Sequence, residues 1–570
     1  MLEVQENDTT ARSVRGAAAS VLIGLLCLIV AAGCSAERYR RSADKEVYAI
    51  LEAKSPRVPG MLGSFTIEQT QQNPLSACPV IQPDSAAAQT DAGEGEPLAE
   101  GVPITVPSVL LSLEKSLQIA SLNSRSYQTQ KESLYLQALS LTFQRYLFKP
   151  QFFGRLAGDY DNTDTSDEEQ ISADTDFGFS WLLATGARVS VGLTSAFSEF
   201  LTGDLRRSSK SWFDITITQP ILQGAGVSVT EGLTQAERNV VYDIRSFVRY
   251  RHRFFVDILS DYYQVLESLQ LLQNQQRNYN NLLVSRDRAR AMGEAGRMPQ
   301  LQVEQTEQDV LRAADSVETR RQSYEAQLDA FKVTLGLPTE ASVVLDLDEL
   351  QRLVDVKALE LNIDLDRATQ IALENRLDLI TAKDEVEDAE RKLEVARNDL
   401  LPGLDLTASL STDTEGESQP ANFRGDRTDI GVGLELDLPL DRLSERNAYR
   451  QRLIDQDRTK RDYAELRDNI VLEVRDAYRQ FGRARRSYEI QQQSRRLAQR
   501  RVDSTQMQLE AGRATTRDML DARSDLVDAE DEATRALVDY RVASLQLARD
   551  MGILIVDEHG QLQEDFEAYE

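Results

Sequence analysis

Two stretches of this chain begin alike: EAGRMPQLQVEQT at Glu294–Thr306 and EAGRATTRDMLDA at Glu510–Ala522. The landmarks around them keep their spacing. Tyr324 and Gly336 stand 28 and 40 residues after Gly296, as Tyr540 and Gly552 stand 28 and 40 after Gly512. Upstream, IASLNS (Ile119–Ser124) matches IALENR (Ile371–Arg376), and Asn123 to Pro150 spans 27 residues, as does Asn375 to Pro402. Self-similarity at fixed spacing marks a repeated supersecondary unit. The body therefore reads as two tandem repeats, residues 108–338 and 363–554, with a linker at 339–362 and an acidic tail at 555–570.

Each repeat has one grammar. A helix of about 35 residues ends near Pro150 or Pro402, a strand region (150–220 or 402–439) follows, and a very long helix then runs to the EAGR turn. A further helix of about 38 residues returns from the turn. Strands are read from alternation. DIGVGLELDLP puts Ile430, Val432, Leu434, Leu436 and Leu438 on one face, with Asp429, Gly431, Gly433, Glu435 and Asp437 on the other. Helices are read from heptads: Met519, Leu526, Ala533, Tyr540 and Leu547 in one register, Ala522, Ala529, Ala536 and Ala543 in the other. That is an a/d seam in which alanine lets helix axes approach closely. Repeat 1 keeps alanine only at Ala313.

Pro439 to Gly512 leaves about 65 helical residues, ~100 Å at 1.5 Å per residue. Two shorter helices laid end to end match that length, so each long helix can lie along a stacked pair. Two strand hairpins give about four strands, too few to close a barrel, and an open edge in lipid leaves backbone groups unpaired. If the alternating faces are lipid-facing and lumen-facing, several copies must share one barrel; three would give twelve strands. The first strand region is longer than the second. Its DTDFGFSWLLATGARVSVGLTS (Asp174–Ser195) reads as an added strand pair that could extend the barrel, enter its lumen or join its wall.

The N-terminus reads as an address. Arg12 and Arg15 precede AAASVLIGLLCLIVAAGC (Ala17–Cys34), an apolar run of signal-peptide length. Its AAGC ending resembles a bacterial lipobox, so residues 1–33 read as a lipoprotein signal peptide and Cys34 as the lipidated first residue. Residues 34–107, rich in Pro, Gly, Ser and Ala beyond Glu52, read as a flexible tether or a strap on the folded body.

Composition narrows the function classes. With 65 basic and 93 acidic residues the formal charge is −28, which repels nucleic acid. The two histidines, His252 and His559, and the three cysteines, Cys27, Cys34 and Cys78, form no metal-ligand spacing and no catalytic set. No cofactor, metal or enzymatic activity is expected. The competing reading is a periplasmic coiled-coil scaffold, which leaves the alternating strands without a role.

Signal, double repeat, strand regions and EAGR turns together resemble the TolC family of outer-membrane efflux proteins, in its lipoprotein branch. The resemblance implies a mainly α fold with a β-barrel part: a homotrimer with a twelve-stranded barrel in outer-membrane lipid and an α-barrel tunnel crossing the periplasm. It implies the exit duct of a tripartite efflux or type I secretion system, fed by a periplasmic adaptor and an inner-membrane pump. The EAGR turns match the family's hairpin tips, so Ala295, Gly296, Arg297, Ala511, Gly512 and Arg513 are the expected adaptor contacts. Asp518 and Asp521 match the stretch carrying the family's gate carboxylates; repeat 1 has Gln302 and Gln305 there. The same two aspartates also suit the first turn of a helix. Where the family's best-known member has a latching tyrosine and arginine, this chain has Leu509 and Ala514.

Overall fold

The computed structural model describes residues 36–61, 65–68, 109–163, 168–202, 207–355, 363–414, 423–556 and 562–563. The expected signal peptide, residues 1–33, lies outside the described residues, as do Cys34 and Cys78. Helix α1 is Ala36–Lys54. Repeat 1 holds β1 (Val109–Leu111), α2 (Leu113–Asn123), α3 (Arg125–Tyr146), β2 (Gln151–Thr163), β3 (Glu168–Leu182), β4 (Arg188–Phe200), β5 (Arg207–Pro220), α4 (Val227–Glu294) and α5 (Gln300–Thr334). A connector carries β6 (Val343–Leu345), parallel to β1, and α6 (Asp348–Asp355). Repeat 2 holds α7 (Leu365–Asn375), α8 (Leu377–Asn398), β7 (Gly403–Thr414), β8 (Phe423–Asp437), α9 (Leu443–Glu510) and α10 (Thr516–Asp550). A short pair, β9 (Ile555–Val556) with β10 (Leu562–Gln563), follows.

Corresponding helices have equal lengths: 11 residues in α2 and α7, 22 in α3 and α8, 68 in α4 and α9, 35 in α5 and α10. The single helix expected before each strand region is broken, at Ser124 (φ −65°, ψ 122°) and Arg376 (φ −66°, ψ 119°). The break lies where the returning helix arrives. Gly336 sits so close to Asn123 that a Cβ on it would be 2.4 Å from the Asn123 carbonyl oxygen, and a Cβ on Gly552 would lie a looser 3.3 Å from the Asn375 carbonyl carbon and the Arg376 nitrogen. In repeat 2 the bend is also tied by charge: Arg376 pairs with Asp378 at 2.7 Å and Glu473 at 2.6 Å, and Arg249 reaches Asp378 at 2.8 Å. The returning helix thus continues the column that α3 or α8 begins.

The columns form an open arc in the order α3/α5, α4, α8/α10, α9. Position in the arc explains burial. The central α4 buries 21 residues and the flanking α9 only 5, although both have 68. The inner column α10 packs against both long helices, which is why its seam is alanine-rich and Ala522, Ala529, Ala533, Ala536 and Ala543 are buried. Its counterpart α5 packs along one long helix within the chain. Near the level of the breaks an aromatic core of Tyr127, Phe247, Phe254, Phe255, Tyr262 and Phe331 joins α3, α4 and α5. Burying each large apolar side chain there contributes roughly 1.5–3 kcal/mol.

The strands of the two strand regions form one antiparallel sheet in the order β2-β3-β4-β5-β7-β8. Two hairpins give about four strands; among the described residues this sheet has six, because the added strand pair of repeat 1 is a hairpin within it. Register gives the sheet two chemically distinct faces. One carries Phe152 and Leu156 of β2, Phe177 and Phe179 of β3, Val191 and Leu193 of β4, Phe213 and Ile215 of β5, Leu406 and Leu410 of β7, and Ile430 and Leu434 of β8. The other carries Asp174, Asp176, Ser190, Asp214, Thr216, Ser409, Asp429 and Glu435.

Within the N-terminal segment expected as a tether, α1 is a packed helix. Val47, Ile50 and Leu51 are buried against the body, as are Val58 and Met61 beyond it. Lys54 pairs with Glu237 at 2.6 Å, Tyr135 donates to Asp44 at 2.6 Å, and Arg251 donates to the Gly60 carbonyl.

Candidate gate, hairpin tips and duct wall

The two EAGR turns end α4 and α9 by the same backbone device. Gly296 and Gly512 take φ of +71° and +69°. The N–H of Arg297 donates to the Met292 carbonyl at 2.8 Å and that of Arg513 to the Gln508 carbonyl at 2.8 Å. This is a Schellman closure, in which a left-handed residue satisfies the helix's orphan carbonyls. Ala295, Gly296, Ala511, Gly512 and Arg513 are exposed, and nothing lies within 4 Å of a Cβ built on either glycine, so the glycines are there for conformation and not for space.

The returning helices start differently. Pro299 precedes α5 with no side-chain cap, whereas Thr515 and Asp518 form a reciprocal capping box at the start of α10. The Asp518 carboxylate accepts from the Thr515 hydroxyl at 2.6 Å and from the Thr515 N–H at 2.8 Å. Those hydrogen bonds hold its pKa below the usual aspartate value. Asp521 is exposed one turn on, 3.9 Å from Arg517. Met519 and Ala522, between and beside them, are buried in the seam, so both carboxylates occupy the opposite, solvent face. Gln302 and Gln305 are likewise exposed.

Farther from the tips, side chains that sequence reading missed join the two hairpins. Buried Asp531 of α10 accepts from buried Asn274 of α4 at 2.7 Å and lies 3.7 Å from Arg320 of α5. Arg535 reaches Glu267 at 3.2 Å. Burial pushes the carboxyls of Asp531 and Glu267 upward, against the pull of these arginines. Within the repeat 2 hairpin, Arg501 of α9 pairs with Asp525 of α10; within the other, Arg290 pairs with Glu307 at 2.7 Å. A sequence signal existed for Asp531, an acid beside the apolar seam, but its partners lie more than 200 residues away.

Among the described residues no group of His, Cys, Asp and Glu could hold a metal ion, and no helix is long and apolar enough to cross a membrane. The sheet, with one apolar face and one polar face, is the part suited to lipid. Aromatic residues mark both ends of its apolar face: Phe152, Phe179 and Trp181 near the helices, Tyr160 and Phe197 at the far end. Trp181 donates from Nε1 to the Phe148 carbonyl at 2.9 Å. Paired aromatic girdles are the mark of outer-membrane barrels.

A two-faced antiparallel sheet on an arc of ~100 Å helices defines an outer-membrane channel-tunnel. Residues 368–552, most of repeat 2, match the family described as Outer membrane efflux protein. The chain is 27% identical over 337 residues to the alkaline protease secretion protein AprF of Pseudomonas aeruginosa, covering 55% of this chain and 68% of that protein. Among solved structures it resembles the CmeC outer membrane channel of Campylobacter jejuni, with a TM-score of 0.55, 14% identity and coverage of 77% of this chain and 85% of that one. It resembles the open state of the MtrE outer membrane channel of Neisseria gonorrhoeae to the same TM-score of 0.55, at 13% identity, covering 77% and 89%. At such identities the structural likeness is one of fold. Repeat 2 thus matches the outer-membrane efflux protein family, and the chain is an exit duct of the outer membrane extending into the periplasm. The family and these structures are channels.

Proposed function

We propose that three copies of this chain close into a passive duct, fed by a periplasmic adaptor at the EAGR tips and by an inner-membrane pump. The observation that carries the reading is the coincidence of free edges. Strand β2 and column α3/α5 end the arc on one side, β8 and α9 on the other. Both flanks expose apolar side chains: Leu136, Phe143, Leu311 and Val333 on one, Ile454, Leu472, Ile490 and Leu497 on the other. Edges that differ from each other suit a head-to-tail ring of identical chains. Six strands bring β2 and β8 to the junction in opposite directions, as antiparallel closure requires.

Asp518 and Asp521 are the proposed gate carboxylates, since three copies of an exposed acidic pair at a tunnel end would make two acidic rings. The capping role of Asp518 is compatible with this, because its second oxygen is free to face a pore. Lipidation of Cys34 is supported by the lipobox-like AAGC that ends the apolar run. Glu46 of α1 pairs with Lys149, two residues before β2, so the helix that follows this segment is held near the base of the sheet. The likeness to a protease secretion protein favours polypeptide cargo.

Purified protein in a planar bilayer tests the reading. A duct gives trimers by native mass spectrometry and stable ionic conductance; a monomer that never conducts would return the scaffold reading.

A further inference from the structure

We infer that the barrel this chain builds has eighteen strands, six from each of three copies, with the β3–β4 hairpin part of its wall. The inference rests on the trimeric reading above. Strand β2 does not pair with β5. It pairs with β3 along Gln151–Thr163, β3 with β4 along Gln170–Leu182, and β4 with β5 along Arg188–Glu199. A hairpin folded into the lumen would leave β2 and β5 as neighbours.

The faces agree with the pairing. Phe177, Phe179, Val191 and Leu193 fall on the same side as Ile215, Leu410 and Leu434, while Asp174, Asp176, Ser190 and Thr194 fall on the side of Asp214 and Ser409. Side-chain packing follows suit. The Phe177 ring covers Gly154 on the apolar face, and the Phe153 ring covers Gly178 on the polar one. A strand pair inside an aqueous lumen would have no use for a continuous apolar face.

Perimeters show what the added hairpin changes. Strands ~4.8 Å apart and tilted ~40° occupy ~6.3 Å of perimeter each, so eighteen give ~113 Å and twelve ~75 Å. The larger barrel's backbone diameter is ~36 Å, against ~24 Å for twelve strands, and barrels of this strand number hold an aqueous channel.

The chain's two tryptophans, Trp181 and Trp212, lie on opposite faces and make the test direct. Three single-tryptophan proteins probe the apolar face, with Trp181→Phe as a fourth that probes the other: Trp212→Phe, which keeps Trp181; Val191→Trp with both native tryptophans changed to Phe; and Leu434→Trp in that same background. Trimers are reconstituted in vesicles of brominated phosphatidylcholine and their emission is compared with that in unbrominated lipid. Eighteen strands predict loss of most emission from all three, while Trp181→Phe, which keeps Trp212, loses little. Quenching at Leu434→Trp without quenching at Val191→Trp or Trp181 would overturn the inference and leave the duct standing. No quenching at Leu434→Trp would mean that the sheet does not meet lipid at all, and the outer-membrane trimer itself would fall. If one hairpin variant misfolds, the other still decides.

Discussion

Asp518 and Asp521 stand three residues apart on a solvent-facing turn, and their two situations predict different things. Asp518 is engaged by Thr515 and Asp521 only by a distant arginine. In the proposed trimeric duct the double change Asp518→Asn, Asp521→Asn is expected to abolish block by a trivalent cation on the periplasmic side and to lower cation preference. Gln302→Ala with Gln305→Ala does neither. Single-channel recording decides: unchanged block in the Asn variant would reduce the pair to a helix cap. His252 predicts a pH dependence. It is buried on α4 beside Gly60, and desolvation, helped by neighbouring Arg251, lowers its pKa to about 3. A lowered pKa means the folded chain binds fewer protons than the unfolded one, so stability falls as pH drops from ~6.5 toward 3. At pH 5 the loss from this one group is about 2 kcal/mol. Replacing His252 with Leu removes that part of the acid sensitivity, measurable as a flatter profile of melting temperature between pH 7 and pH 5.

At the scale of elements, two glycines with the same backbone separate strain from contact. Gly512 has open space around it, so Gly512→Ala bears only the left-handed conformation, roughly 1–2 kcal/mol. Gly336→Ala bears that and a close approach to the Asn123 carbonyl, a further 1–3 kcal/mol of overpacking. Denaturant titration of the two variants should rank them in that order; equal losses would mean the column junction relaxes freely. On β8, Leu434→Arg puts a charge on the apolar face, costing about 2–4 kcal/mol if the residue is at mid-bilayer. Fewer heat-resistant trimers on a gel are expected, and wild-type yield would take Leu434 out of the lipid. Much of this scale was legible in advance. The alternation in Asp429–Leu438 and the glycine of each EAGR turn are local signals, and local signals survive in a single sequence. The breaks at Ser124 and Arg376 were not legible, because what bends the chain there is the arrival of Gly336 and Gly552 from some 200 residues away. The inserted hairpin could be seen, but its place in the sheet depended on which strands pair. The partners of Asp531 were hidden for the same reason.

For the whole molecule, the free flanks are the main prediction. Cysteines on Leu311 of α5 and Leu472 of α9, both more than half exposed on opposite flanks, label readily in a dissociated chain and become protected in the assembled ring. Labelling that does not change with assembly would mean the flanks never meet. The equal helix lengths carry a consequence for how such a molecule can change over generations. One residue inserted in a helix turns everything beyond it by ~100° and slides it 1.5 Å. In a 68-residue helix flanked by matched columns, that upsets every seam below the insertion and moves one tip relative to the other. An indel there survives only if the partner helices gain or lose residues in step. The β3–β4 hairpin is under no such constraint, since it leaves and re-enters the sheet at the same level. Descent with modification should therefore have kept the tunnel's length nearly fixed while leaving its width open to experiment, one hairpin at a time.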